Sequence, residues 1–269
     1  MDNDEAPNVD PNIPRVLRVK DPPKDKRKQP HPNLPQTPAL LLMISPIRTG
    51  KSTILSNLIL NSNFFGQDFF DEVMLISPTI HNDKTSRFMK KCCAVYDQYS
   101  DKILLDMIQA QSEYNDNLED RPSIALIMDD VIGIFKGPKG QAPLINSFCS
   151  RFRHYGIDLL CLSSQNYRKV DPVIRSNCTN MIIGSPFPNT RELEKIAEEI
   201  GDQFGGKDNF LKIYNKATPN RYDFLHLNFS KNPPEAWHNF TDLVALGGQS
   251  KSVGDDVDTN LNQNIEEKK

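Results

Sequence analysis

The 269-residue chain carries only five cysteines, and none of their spacings pairs them or holds zinc. Cys92 and Cys93 adjoin, while Cys149, Cys161 and Cys178 are scattered. That excludes a disulfide-stapled framework and a zinc site, and leaves reduced, mostly buried thiols that fit a reducing compartment. Long apolar runs are missing too: none approaches a membrane span, and the opening MDNDEAPNVD is acidic, unlike a signal peptide. An intracellular protein is expected. There is no excess of positive charge. With 32 Lys and Arg against 35 Asp and Glu, the net charge is -3. A strongly basic overall surface is excluded, so contact with nucleic acid would fall to local loops or to loops gathered by oligomerisation.

What is present falls into three parts. Residues 1–36 are rich in Pro, Asn and charge and poor in aromatics, which predicts a disordered arm. Within it Arg15, Arg18, Lys20, Lys24, Lys26, Arg27 and Lys28 outweigh Asp21 and Asp25. Two readings stand side by side, a nucleic-acid-touching or targeting arm and a solvated linker. Residues 246–269 form a polar tail, also expected to be disordered. Between them, 37–245 alternates short apolar strands with helical segments and shows no repeat. Strands are predicted at 40–44, 72–77, 124–129, 157–163 and 180–184, each nearly continuous in hydrophobicity, as strands buried on both faces are. Helices are predicted at 52–59, 83–96, 101–112, 144–155 and 189–200, the last with an Asn189/Glu192 capping box and a Gly201 stop. Tyr222–Leu227 alternates and reads as an antiparallel edge strand. The order implies a three-layer α/β domain around a mainly parallel sheet.

The most informative stretch is Ser45-Pro46-Ile47-Arg48-Thr49-Gly50-Lys51-Ser52-Thr53. It reads as a phosphate-binding loop between a strand and a helix, with Ser45 where the first Gly belongs. A triphosphate needs closely spaced donors, and a loop ending on a helix N-terminus offers unpaired amides and the positive end of the dipole. Gly50 permits a tight bend and close approach. Lys51 reaches the β- and γ-phosphates, and the Ser52 hydroxyl ligates Mg²⁺. Ser45 alters the first turn without removing a phosphate ligand.

The strand at 124–128 then delivers Asp129-Asp130, 78 residues after Lys51. Asp129 is placed to hold Mg²⁺ through water beside Ser52, and Asp130 to orient or deprotonate the attacking water. The spacing leaves room for one whole strand and matches the ATPase branch with an additional strand beside the loop strand. The next strand ends in Ser163-Ser164-Gln165, and ligands bind at strand C-termini in parallel sheets. Gln165 is therefore a candidate γ-phosphate sensor. The charge that develops in the transition state calls for a cation. Arg48 is the candidate in cis. Arg151, Arg153, Arg168 and Arg175 are further candidates, with Arg153 and Arg175 ranked first for action on a neighbouring subunit.

Together Pro32-Asn33-Leu34-Pro35, Gly50-Lys51-Ser52, Asp129-Asp130, Arg153-His154-Tyr155-Gly156, Ser163-Ser164-Gln165 and Ile174-Arg175-Ser176-Asn177 resemble the poxvirus-type DNA-packaging ATPases of large eukaryotic DNA viruses and virophages, a branch of the FtsK/HerA superfamily. The resemblance covers residues 32 to about 240. It implies a P-loop ATPase using ATP and Mg²⁺ that assembles as a homo-oligomeric ring and drives double-stranded DNA, independent of sequence, into a preformed capsid. Capsid or portal-region proteins are the implied partners. The host-cell cytoplasm, the viral factory or the virion is the implied location. The Gly-rich segment 133–140, with Lys136 and Lys139, reads either as a pore loop or as a surface loop. Three other readings remain open: a terminase-like motor, a helicase or DNA-pumping ATPase, and a nucleotide-binding assembly protein that does not hydrolyse.

Overall fold

The computed structural model describes residues 31–81, 86–115, 117, 119–131, 144–188 and 190–248. The basic arm residues, the Gly-rich segment 133–140 and the proposed cap Asn189 lie outside them, as does the tail from 249. At the centre is β1 (Ala39–Ile44), whose six residues are all fully buried. Six consecutive apolar residues suit a strand covered on both faces. Leu40, Leu42 and Ile44 enter one core, and Ala39, Leu41 and Met43 enter the other.

The other strands are β2 (Glu72–Ile76), β3 (Ala94–Tyr96), β4 (Ile124–Met128), β5 (Ile157–Ser164), β6 (Asn180–Gly184), β7 (Phe224–Asn228), β8 (Glu235–His238) and β9 (Asp242–Leu246). They form one sheet in the order β3-β2-β4-β5-β1-β6-β7-β8-β9. All pairs from β3 through β6 are parallel, and β7 to β9 continue as an antiparallel meander. Strand β5 stands between β1 and β4, so an additional strand does separate the loop strand from the acid strand.

Helix α1 (Lys51–Leu60) covers one face through Leu55, Leu58 and Ile59. The other face carries α2 (Asp101–Ser112), α3 (Leu144–Arg151), α4 (Pro172–Asn177), α5 (Thr190–Ile200) and α6 (Lys207–Ala217), which contribute Leu104, Phe148, Ile174, Ile196 and Phe210 to its core. Local sequence sets the helix starts. The Ser100 hydroxyl accepts from the Lys102 amide, and the Asp171 carboxylate accepts from the Val173 amide with Pro172 in the first turn.

Four features of the fold differ from the sequence expectation. Within the helix expected over 83–96, residues 86–91 form a 3-10 helix and 94–96 are β3, because the chain leaves the helix to pair with β2. The helix expected to reach 155 stops at Arg151, and the chain turns through Gly156 at φ 71. There the Arg121 side chain fills the space a Cβ would occupy. Strand β7 is antiparallel as expected but is not an edge, since β8 and β9 lie outside it. Helix α6 and the last two strands were not anticipated.

Candidate nucleotide site

Parallel strands β1, β4, β5 and β6 all end at one edge of the sheet, and the candidate residues collect there. The loop after β1 opens with Ser45, which is fully buried and still bonded into the sheet through its amide to the Ser164 carbonyl at 3.0 Å. Its hydroxyl meets that of Thr49, which in turn donates to the Pro46 carbonyl at 2.6 Å. The first turn is thus closed by two hydroxyls. Room for Ser45 comes from Gly184 at the end of β6, where a Cβ would lie 2.1 Å from the Ser45 Oγ. Sequence reasoning missed Gly184, because its partner is 139 positions away.

The loop then exposes Ile47 and Arg48, the latter at φ 63, and enters α1 through Gly50 at φ 94. A left-handed residue here is the reason for glycine. No side chain caps the start of α1 and no acid stands in its first turn. The amides of the first turn and the positive helix end are therefore free for an anion. Ser52 is half-buried and Thr53 exposed in that turn.

Lys51 points back across the sheet edge, with its ammonium 2.8 Å from Asp130 Oδ1. Asp130 sits at φ 53, its amide bonded to the Ser163 hydroxyl at 3.1 Å, and its Oδ2 accepts from Gln165 Nε2 at 3.1 Å. Asp129 is 4% exposed. Its carboxylate accepts from Ser163 Oγ at 2.5 Å and from Ser77 Oγ at 3.5 Å. The ends of β1, β4 and β5 are therefore joined through Lys51, Asp130, Gln165, Ser163 and Asp129. In the sequence Ser163 stands only as part of a strand ending; here it touches both acids. Among the described residues no group of three or more His, Cys, Asp or Glu could hold a metal by itself. A Mg²⁺ ion suits one carboxylate and one hydroxyl when phosphate oxygens and water complete its shell.

The remaining arginines do not join this cluster. Arg175 forms an ion pair with Glu199 at 2.5 Å, and its guanidinium lies 4.7 Å from the Tyr167 ring centroid. Burial alone would raise Glu199, but the hydrogen bond from Tyr167 and the charge of Arg175 outweigh it and hold the carboxyl below its ordinary value. Arg168 pairs with Glu192 at 3.7 Å. Arg151 and Arg153 are exposed and precede β5. That strand is eight residues long, about 26 Å at its usual rise, so they lie at the opposite edge of the sheet from Lys51.

This nine-stranded, mostly parallel sheet flanked by helices is a fold that solved structures share. Among solved structures, the chain is similar to the genome-packaging NTPase B204 of Sulfolobus turreted icosahedral virus 2 in complex with AMP. The identity is 17%, the TM-score is 0.52, and the match covers 74% of this chain and 96% of that one. It is also similar to B204, the DNA-packaging ATPase of Sulfolobus turreted icosahedral virus, at 17% identity and TM-score 0.53 over 75% and 98% of the two chains. A third similar structure is the cytoplasmic domain of the Thermomonospora curvata type VII secretion ATPase EccC. It shows 14% identity and TM-score 0.51 over 80% of this chain but 26% of that one. No protein-family model and no curated protein sequence matches the chain. No helix among the described residues is long and apolar enough to cross a membrane.

Proposed function

We propose that this chain is an ATP-hydrolysing motor that translocates double-stranded DNA into a preformed capsid, working as a homo-oligomeric ring in the host cell or viral factory. The observation that carries the reading is the junction of Lys51, Asp130 and Gln165 at the ends of three adjacent parallel strands, next to an uncapped helix N-terminus. The packaging role is supported by likeness of fold to B204, which is itself a genome-packaging NTPase.

In this reading the loop amides and Lys51 hold the phosphates. Ser52 and Asp129 hold Mg²⁺, which supplies neutralisation of the charge building on the phosphate oxygens. Asp130 orients the attacking water, with Gln165 beside it to sense whether the γ-phosphate is present. Arg48 is the cation available within the subunit, while Arg153, at the far edge, is available only to a neighbour. DNA is gripped through its backbone phosphates, and capsid or portal-region proteins anchor the ring.

The test is ATP turnover by the wild type and by Lys51→Ala, each with and without duplex DNA. Turnover that depends on Lys51 and rises with DNA is expected. Turnover indifferent to DNA would sink the motor reading, and turnover indifferent to Lys51 would sink the site.

A further inference from the structure

A second feature stands beside the loop. Strand β7 runs antiparallel to β6, with Phe224 opposite Gly184. The segment before β7 therefore surfaces at the same edge where the parallel strands end. Tyr222 lies in that segment at φ 77 and is 55% exposed. A bulky side chain in the left-handed region is strained and persists only where its surroundings over-determine it. They do so here. Asp223 accepts from the Asn220 amide at 2.9 Å and from Asn239 Nδ2 at 3.4 Å, and Asn239 Oδ1 accepts from the Phe224 amide at 3.0 Å.

This clamp sets the ring against the phosphate loop: a Cβ added to Gly50 would lie 3.6 Å from Tyr222 Cδ1. The Arg221 guanidinium rests 4.9 Å from the ring centroid. Arg221 also lines a cleft of about 400 Å³ shared with Arg48, Thr49 and Phe187. The other aromatic strongly exposed among the described residues, Tyr96, is on β3 at the far side of the sheet.

The position decides what the ring meets. Asp129, Asp130 and Gln165 sit on the β4–β5 side of the loop, so the γ-phosphate end belongs there. The nucleoside end of the same molecule then leaves on the β6–β7 side. We propose that Tyr222 is the stacking platform for the nucleobase, braced by Arg221. This inference rests on the nucleotide-site reading above. Stacking uses the π-face that every base has, so it strengthens binding without choosing among bases.

The experiment is titration calorimetry of the wild type, Tyr222→Ala, Tyr222→Phe, Tyr222→Gly and Lys51→Ala with ATP, GTP and inorganic tripolyphosphate. Tyr222→Ala is expected to weaken ATP and GTP about tenfold alike and to leave tripolyphosphate unchanged. Tyr222→Phe retains wild-type affinity. Tyr222→Gly suits φ 77, so it should lose affinity with no fall in melting temperature. An unchanged ATP affinity in Tyr222→Ala, or an equal loss for tripolyphosphate, overturns the platform while leaving the site intact. Lys51→Ala binding all three ligands as the wild type does would overturn the nucleotide site and the platform with it.

Discussion

At the residue scale, the departure at Ser45 is a packing exchange. The side chain that a glycine would lack is housed by the glycine facing it. Gly184→Ala should drive a methyl into the Ser45 hydroxyl. Overpacking of this kind costs roughly 1–3 kcal/mol, and nucleotide affinity should fall with it. Adding Ser45→Gly should recover much of the loss. A double-mutant cycle on denaturant midpoints checks this, and simple additivity would count against the pairing. Thiol chemistry gives a second residue-scale prediction. All five cysteines are free, and only Cys92 is exposed. Burial pushes Cys93 and Cys178 up to about 12 and raises Cys149 and Cys161 further. Alkylation of the native protein near neutral pH, followed by mass, should therefore show one fast site, at Cys92.

At the scale of elements, β7 carries a buried base into the sheet. His226 is fully buried, shares Nε2 with Asn180 Oδ1 at 3.0 Å, and has no partner for Nδ1. Burial lowers its pKa to about 3. The folded state then stays neutral at pH values where the unfolded chain, titrating near the ordinary 6.5, takes up a proton. Stability from this group is complete above about 6.5 and is lost as pH falls toward 3, at up to about 1.4 kcal/mol per pH unit. Chemical denaturation between pH 7 and 5 should show that slope, flattened in His226→Gln. Helices α4 and α5 are tied through Arg175, Glu199 and Tyr167. Glu199→Ala leaves a mostly buried guanidinium short of its partner, and a loss of roughly 1–3 kcal/mol is expected in thermal melts. Elements long enough to show a pattern were the legible ones. Five of the six parallel strands and α5 show in the sequence as continuous apolar runs and a helical stripe. Strand β3 has three residues, and β8 and β9 have four and five with half-buried or exposed ends, so they carry little pattern of their own and exist because a neighbouring strand offers them a ladder. Helix α6 was legible and was passed over: Phe210, Ile213, Tyr214 and Ala217 make its stripe.

At the scale of the whole molecule, the sheet separates two sets of residues. Lys51, Asp129, Asp130 and Gln165 were legible because glycine, lysine and paired acids at strand ends carry their chemistry in their spacing. Whether an arginine of a second copy joins them was not, since reach between copies would leave no trace in one chain. Placing Arg153 at the opposite edge from Lys51 gives it meaning only if rings form. Mixing Arg153→Ala subunits with Lys51→Ala subunits should restore part of the ATP turnover that each lacks alone, and no recovery at any ratio would remove Arg153 from the mechanism. DNA-stimulated turnover should also weaken steeply as salt rises, because contacts to backbone phosphates release counterions.

Gly184 bears on how this protein's kin are to be recognised. A pattern that insists on glycine at the head of the loop after β1 does not describe this chain. The hydroxyl at position 45 and the bare backbone at 184 share one space. Sister sequences should therefore trade the two together, serine with glycine or glycine with a larger residue, and a lineage caught between the states should be rare.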